Sequence, residues 1–262
     1  MNPAAQSYFY TRWIGLSLAL PTLLAAQEPV DPRAPIPERP TVATHAFTVA
    51  PGYLELESGV ERDANPDHTH SWLAPVYVKI GLARRAQLGI SSSAVGPAGG
   101  RTGVGDLTVA LKYRLADGVP VLGAFAVLSS VKLPVADASH GTTTTDGSLL
   151  LISSHKFGDA SLDVNFGCTR RSGDGTHAPV NATLWTISGG LPLGGDAGLA
   201  VEVFGYPGTA GPSGSQPTMA LLAGPTLAVG SHAVIDLGAI LHLKGPQPDA
   251  FYAGITYNLG RF

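Results

Sequence analysis

Hydrophobic and polar residues alternate along most of the chain, in short segments that Gly, Pro, Asp and Ser separate. In one of them Val109, Leu111 and Tyr113 alternate with Lys112 and Arg114. A period of two predicts β-strands with one apolar and one polar face. Twelve strands are predicted, at residues 53–62, 71–82, 86–94, 104–115, 120–133, 146–157, 160–171, 180–191, 197–206, 218–229, 233–244 and 250–262.

The connections between these strands alternate between long and short. The long ones cover residues 63–70, 96–102, 134–145, 172–179 and 207–217, and the short ones residues 84–85, 116–119, 158–159, 192–196 and 230–232, with residues 245–249 before the last strand. Short periplasmic turns and longer extracellular loops have this order in a barrel whose two termini face the periplasm. The predicted fold class is therefore all-β: a 12-stranded antiparallel up-and-down transmembrane β-barrel.

The residues before the first strand divide into two parts. Residues 1–26 have one charge, Arg12, followed by an apolar stretch and small residues, which predicts a cleaved signal peptide and an exported protein. Twelve or so apolar residues are too few to cross a bilayer of about 30 Å as a helix. Residues 27–52 are rich in proline and are predicted to be extended, either as a periplasmic tail or as a plug in the lumen. The barrel follows over residues 53–262.

The composition agrees with a barrel in a membrane. Only 13% of the residues are charged, against about 25% in soluble proteins, because a face covered by lipid needs no charge. A net charge of −3 provides no basic field for nucleic acid. Cys168, the single cysteine, excludes a disulfide framework and is predicted to be an apolar filler. No phosphate loop or dinucleotide motif is present, so no cofactor is predicted.

Charged residues on the strands share the polar face, which a membrane barrel turns toward its lumen, because a central Arg or Lys facing lipid costs about 2–4 kcal/mol. The predicted lumen-facing residues, which would line any solute path, are Glu55, Glu57, Lys79, Asp106, Lys112, Arg114, Lys132, Asp146, Lys156, Asp163, Glu202, Asp236, His242 and Lys244. Acidic and basic members nearly cancel, whereas a selective channel would carry a ring of one sign. An ion-pair mesh bracing the wall is the preferred interpretation, and a transverse field that orients a polar solute is the alternative.

Two groups of residues have side chains of the types used in other chemistry. Ser153 and His155 lie two apart on the predicted lipid face, but an acyl-transfer site also needs a residue that orients the histidine and donors for the oxyanion. An interfacial polar pair is the better interpretation. The outer loops contain residues of the types that ligate zinc or copper, in a spacing that fits no closed structural site: His68, His70, His140, His177, Asp67 and Asp174. They are predicted to be solvated, and no metal is expected.

Several motifs resemble one bacterial family. They are RPT at residues 39–41, FTVAPGYLELESG at 47–59, GVGDLTVALKYR at 103–114, and TDG at 145–147 with SHKFG at 154–158. Together they resemble the outer-membrane β-barrel transporter family of the phenol-degradation meta pathway. Thr41 and Ala50 stand where that family usually has Asp and Pro. The resemblance implies an outer-membrane barrel with a role in uptake, and it does not establish phenol as a ligand.

The last strand ends in Phe262, as in barrels that the barrel-assembly machinery recognises. Phe262 has the opposite parity to Ile255, Tyr257 and Leu259, so either the strand ends early or a bulge resets its register. The leading hypothesis is a passive channel for small solutes, aromatic or hydrophobic ones among them, whose partners are outer-membrane lipid, the assembly machinery and an unidentified solute. The alternatives are a structural or surface-interaction barrel with a blocked lumen and, third, a lipid hydrolase.

Overall fold

The computed structural model describes residues 31–65, 67–173, 180–207, 216–246 and 248–262. Its strands are β1 (Tyr53–Ala64), β2 (His70–Ala83), β3 (Ala86–Gly96), β4 (Gly103–Val104), β5 (Leu107–Val119), β6 (Gly123–Leu133), β7 (Asp146–Phe157), β8 (Ala160–Arg171), β9 (Asn181–Gly194), β10 (Ala197–Tyr206), β11 (Thr218–Val229), β12 (Ala233–Lys244) and β13 (Asp249–Arg261). The short β4 and the long β5 both pair with β3 and occupy one position in the sheet. Within the described residues, no helix is long and apolar enough to cross a membrane.

Each strand pairs antiparallel with its neighbours along the chain, and β1 pairs with β13, which closes the sheet. The predicted 12-stranded up-and-down barrel is confirmed, and the strand bounds agree with the sequence to within a few residues at most ends. We call the end with the short turns the inner end and the end with the long loops the outer end. The turns after β7 and β11 contain Gly158 and Gly230 at positive φ, a conformation that costs glycine little.

One predicted connection is wrong. Residues 116–119 are not a turn but continue β5, which passes through register shifts between Arg114 and Val119. Asp117 forms ion pairs with Arg114, at 3.0 Å, and with Arg85, so the Asp-Gly dipeptide is bonded to neighbouring side chains instead of reversing the chain. The chain turns after Pro120, which has no N–H to donate to a sheet.

A bulge explains the parity of the C-terminus. Gly260 pairs with Leu54 and Asn258 with Glu55, so Leu259 is an extra residue in β13. The bulge places Gly260 on the face of Leu54, and the two-residue period then brings Phe262 to the outward parity. The strand ends at Arg261, and the Phe262 N–H donates to the Gly52 carbonyl at 3.0 Å.

The two faces of the wall differ sharply in burial. On β5, the side chains of Leu111 and Tyr113 are 44% and 49% exposed, whereas Lys112 and Arg114 are 0% and 1% exposed. The apolar face thus points outward and the charged face inward, the reverse of a soluble sandwich. Inside the barrel lie two apolar clusters, one on β6 and β7 around Ile152 and one on β10 to β13 around Leu222.

Residues 31–52, which we call the lumen segment, lie inside the barrel. Ile36, Ala46 and Phe47 pack in the cluster around Ile152, and Val42 packs against the other cluster. The predicted signal peptide, residues 1–26, lies outside the described residues.

Candidate functional site in the barrel lumen

The lumen segment is bonded to the wall mainly through its main chain. The N–H groups of Val42 and Ala43 both donate to the Glu202 carboxylate, each at 2.7 Å. Further amides donate to Glu55 (from Ile36, 2.9 Å), Glu57 (from Glu38, 2.7 Å), Asn165 (from Thr44, 2.7 Å), Ser154 (from Ala46, 2.8 Å) and Gln87 (from Val49, 2.9 Å). A buried N–H without a hydrogen-bond partner is costly. Because the segment has no neighbouring strand to bond to, polar side chains of the wall accept its N–H groups instead.

Two fully buried lysines complete this network. Lys79 Nζ on β2 lies 2.5 Å from Glu55 and 2.6 Å from Glu57, and it also donates to the Ile36 carbonyl at 2.5 Å. Lys112 Nζ on β5 lies 2.5 Å from the Glu38 carboxylate of the lumen segment. It also donates to Thr44 Oγ1 at 3.0 Å and to the carbonyls of His45 (3.0 Å) and Phe47 (3.2 Å). Buried ammonium groups need such complete sets of acceptors.

These contacts differ in part from the ion-pair mesh that the sequence favours. The Lys79 pairs with Glu55 and Glu57 do join wall to wall. Lys112 and Glu202, by contrast, bond to the lumen segment, and the guanidinium of Arg114 lies 5.6 Å from the centre of the Phe47 ring. Much of the inward charge therefore fixes a piece of the chain in the lumen.

The remaining predicted lumen residues lie toward the two ends. At the outer end Lys132 is 3.4 Å from Asp106 and 3.0 Å from Asp146, and His242 is 2.7 Å from Asp249 on the neighbouring strand. Lys244 is exposed at the same end. Toward the inner end the exposed Lys156 and the half-buried Asp163 line a cavity. Asp236, on the wall beside β13, is 3.3 Å from Arg39 of the lumen segment.

The sequence reasoning missed the neutral polar residues of the wall. Gln87, Ser154 and Asn165 each accept an amide of the lumen segment. Their signal was available, because Asn165 alternates with the apolar residues of β8 at the same parity as Asp163. A plug in the lumen was one of the two alternatives for residues 27–52, but a proline-rich stretch without periodicity does not indicate which wall residues it contacts.

Two cavities in the barrel are lined in part by the lumen segment. The inner cavity, of about 540 Å³, is bounded by the inner ends of β7 to β11 and contains the side chains of Lys156 and Asp163. The outer cavity, of about 330 Å³, is bounded by β2, β3 and β5 to β7, with Tyr77 and several hydroxyl groups on its surface. Four residues of the lumen segment border both cavities: Glu38, Arg39, Thr41 and Ala43.

Two titratable groups of the lumen segment have fixed charge states. Burial lowers the pKa of His45 to about 3, with the nearby Lys112 ammonium acting in the same direction, so the imidazole is neutral at physiological pH. Burial acts to raise the pKa of Glu38, but Lys112 and Lys79 outweigh it and hold the pKa well below its ordinary value. Glu38 is therefore an anion, and the Glu38–Lys112 contact is a true ion pair.

The outward pair, Ser153 and His155, is in contact. Ser153 Oγ lies 3.1 Å from His155 Nε2, but its hydroxyl also has the Leu122 carbonyl as an acceptor at 2.7 Å. A nucleophilic serine would donate to the histidine instead. Within the described residues, no carboxylate or amide side chain bonds to His155, so the third member of a triad is missing there.

Two of the outer-loop histidines, His70 and His140, are hydrogen-bonded to protein groups. His140 Nδ1 lies 2.6 Å from Asp137 and its Nε2 donates to the Arg101 carbonyl at 2.7 Å. His70 Nδ1 lies 3.2 Å from the Asp63 carbonyl. Across the ranges of the chain that the structure describes, no group of three His, Cys, Asp or Glu residues is placed to hold a metal ion. His177 and Asp174 lie outside those ranges.

Comparisons with known proteins agree with this architecture. The family model described as "Putative MetA-pathway of phenol degradation" matches residues 38–245. An outer membrane channel from Pseudomonas putida F1 is similar in structure, with a TM-score of 0.65 at 10% identity over 82% of this chain and 98% of that one. The KdgM porin in complex with disordered oligogalacturonate has a TM-score of 0.53 at 8% identity, over 78% and 98% of the two chains. A search of the curated proteins finds no match.

Proposed function

Because the chain belongs to the family of the MetA pathway of phenol degradation, we propose that it is an outer-membrane channel through which small solutes diffuse passively. One observation carries this proposal: the closed barrel contains two cavities, one toward its inner end and one in its outer half, and the residues that border both belong to the lumen segment. A barrel built as a solid brace would fill this space with wall side chains, as small barrels do.

The outer membrane is the location that the wall supports. The outer surface of the wall is apolar and exposed, with Leu111, Tyr113 and Leu115 among its residues. Contact of this surface with water would be unfavourable, and lipid would cover it. We propose that residues 1–26 direct export and are cleaved, and that the assembly machinery recognises the strand that ends before Phe262. The similar channel from Pseudomonas putida F1 is an outer-membrane protein by its name, and at this identity the likeness itself concerns the fold.

The cavities limit the size of the solute. Volumes of about 330 and 540 Å³ fall in the range of small-molecule sites, which is roughly 300–1,000 Å³. The outer cavity combines hydroxyl groups with apolar residues such as Leu128 and Leu150, so it suits solutes with an apolar body and a few hydrogen-bonding groups. Aromatic or otherwise hydrophobic small solutes fit this description.

The test is conduction by the purified, folded full chain. We expect discrete single-channel currents in planar bilayers, together with swelling of proteoliposomes in small solutes but not in an oligosaccharide too large for the cavities. Protein denatured before reconstitution is the control. Folded protein, identified by heat-modifiable migration on a gel, that gives neither current nor swelling would contradict the proposal.

A blocked barrel is the second candidate, and a specific observation favours it. The lumen segment bonds to side chains on β1, β2, β3, β5, β7, β8 and β10, which closes the passage in the structure as it stands. In that case the long outer loops would bind a partner, and the same bilayer experiment would give no current.

We also propose that the barrel catalyses no reaction. Purified protein and the Ser153→Ala variant should both lack activity on dispersed phospholipid. Hydrolysis that disappears in the variant would reinstate the hydrolase alternative.

A further inference from the structure

The lumen segment is held firmly at two flanks and weakly between them. The first flank bonds through the amides of Ile36 and Glu38, and the second bonds from Val42 to Val49. We call residues 39–41, which lie between the flanks, the bow. Thr41 Oγ1 donates within the segment, to the Ala43 carbonyl at 2.8 Å.

One side chain ties the bow to the wall. Among the described residues, the hydrogen bond from Arg39 Nη2 to Asp236 Oδ1, at 3.3 Å, is the bow's single polar contact with a strand. Its Nε is buried without a hydrogen-bond partner. The two side chains are 17% and 2% exposed, so this is a largely buried ion pair, but it is one contact, whereas each flank bonds to the wall through several groups. Release of the bow therefore requires the loss of this single polar contact with the wall.

The wall has a notch that fits the Arg39 guanidinium. Gly59 on β1 and Gly254 on β13 are directly paired, and Gly254 is in turn paired with Asp236 on β12. A Cβ atom on either glycine would lie less than 3.0 Å from guanidinium atoms of Arg39. Only residues without a side chain leave room for this group, so the three strands together form a seat shaped for Arg39.

Release of Arg39 would change the lumen locally. Glu38, Arg39, Thr41 and Ala43 border both cavities, and the bow contains two of these four residues. Movement of the bow would connect the two cavities while both flanks keep their bonds to the wall. Displacing the whole segment would instead break every bond to Glu55, Glu57 and Glu202.

We propose that Arg39 is the gating residue of this channel, a latch that closes the passage when it lies in the glycine notch on Asp236 and opens it when it leaves. The inference rests on the proposed channel function. It differs from a plain plug, because the segment stays seated in both states and only the bow moves.

Conductance of single and double variants tests the latch. Arg39→Gln and Asp236→Asn should each raise the time that a single channel spends in its open state, with Arg39 released, by roughly fivefold. This is the change that an ion-pair coupling of ordinary size produces. The double variant should equal either single variant, because both remove the same contact. Arg33→Gln, at an exposed arginine of the same segment, is the matched control and should behave as wild type. Wild-type gating in both single variants, or additive effects in the double variant, would overturn the proposal.

The notch is tested separately by Gly254→Ala. The added methyl group should expel the guanidinium and reproduce the Arg39→Gln behaviour. Gly147→Ala is the control, since a Cβ there has no atom within 4 Å. Equal gating in the two alanine variants would contradict the role of the notch.

A chemical measurement tests the latch even if the barrel carries no current. In a Cys168→Ala background, Thr41→Cys should react with a water-soluble maleimide several times faster when Asp236→Asn is also present. An unchanged rate would overturn the latch, whether or not the barrel conducts. A faster rate in a barrel that carries no current would support the latch and contradict the channel.

Discussion

Lys112 and Lys132 both point inward, on the neighbouring strands β5 and β6, yet their surroundings differ. Lys112, in the inner half, is fully buried and bonds to four acceptors of the lumen segment. Lys132, at the outer end, is partly exposed and lies between Asp106 and Asp146. An inward-facing lysine therefore holds the lumen segment at one depth and joins a partly exposed group of ion pairs at the other. Depth decides, because Lys112 is fully buried, whereas Lys132 is partly exposed, where water can replace part of a lost contact.

The largest effect should come from removing the deep lysine. Lys112→Met leaves Glu38 buried without its closest cation, so we expect a loss of about 3–5 kcal/mol in the free energy of unfolding. Lys132→Met should cost less, roughly 1–2 kcal/mol, because Lys132 is partly exposed and its partners Asp106 and Asp146 keep hydrogen bonds from Thr142 and Thr144. Urea unfolding of both variants in the same detergent or lipid measures the difference. Equal losses would show that depth does not matter.

The next effect concerns the fit between the wall and the lumen segment. A Cβ on Gly81 of β2 would overlap the main-chain atoms of Val49 and Ala50, which cannot move independently of the segment. Gly81→Ala should therefore destabilise the barrel by about 1–3 kcal/mol, the usual cost of overpacking. Gly147→Ala, where nothing lies within 4 Å, should change stability little. A neutral Gly81→Ala variant would mean that the segment is not seated as described.

A smaller effect is expected at the carboxylate that binds two amides. Glu202→Gln keeps one oxygen acceptor but places an NH2 group against the other amide, so one of the hydrogen bonds from Val42 and Ala43 is lost, at a cost of roughly 1–2 kcal/mol. Asp146→Asn at the outer end is the comparison and should change the unfolding free energy less, since Asp146 accepts from Thr144 and no amide of the lumen segment. The reverse order would contradict the distinction between the inner half and the outer end.

The smallest effect is a pH dependence of the loop between β6 and β7. The hydrogen bonds to the Arg101 carbonyl and to Asp137 raise the pKa of His140 above its ordinary 6.5. The hydrogen bonds from Ser139 and His140 lower the pKa of Asp137 from 3.8 to about 2. The contribution of His140 is thus complete below 6.5 and lost as the pH rises through its raised pKa. That of Asp137 is complete above 3.8 and lost as the pH falls toward 2.

Protection of the loop amides in hydrogen exchange should accordingly be greatest between about pH 4 and 6.5, after correction for the intrinsic exchange rate. Asp137→Asn should lower the pKa of His140 in an NMR titration, since it removes the negative partner. A pKa of His140 that is the same in the variant would contradict the ion pair.

The strands were predictable because their signal is local. A strand such as β8 shows its two faces in consecutive residues, and the lengths of the connections show the order of inner and outer ends. The turn after β5 was misplaced because Asp117 and Gly118 usually reverse a chain, whereas here the carboxylate of Asp117 bonds to two arginines that the fold brings close.

The contents of the lumen were less predictable. Parity identified Lys112 and Glu202 as inward-facing, but not their partners, which lie 74 and 160 residues away along the chain. Nothing in the sequence around Arg39 indicates that Gly59 and Gly254 would form its seat, because those glycines are far apart until β1 pairs with β13.

The sequence by itself determined the barrel: the two-residue period and the lengths of the connections predict twelve amphipathic strands and their order, and the cost of charge in lipid predicts which face meets lipid. Only the tertiary structure decided what lies inside. Closure of the sheet brings distant polar groups around one axis, and a segment with no periodicity of its own takes its position from the acceptors and the glycine notch that closure creates.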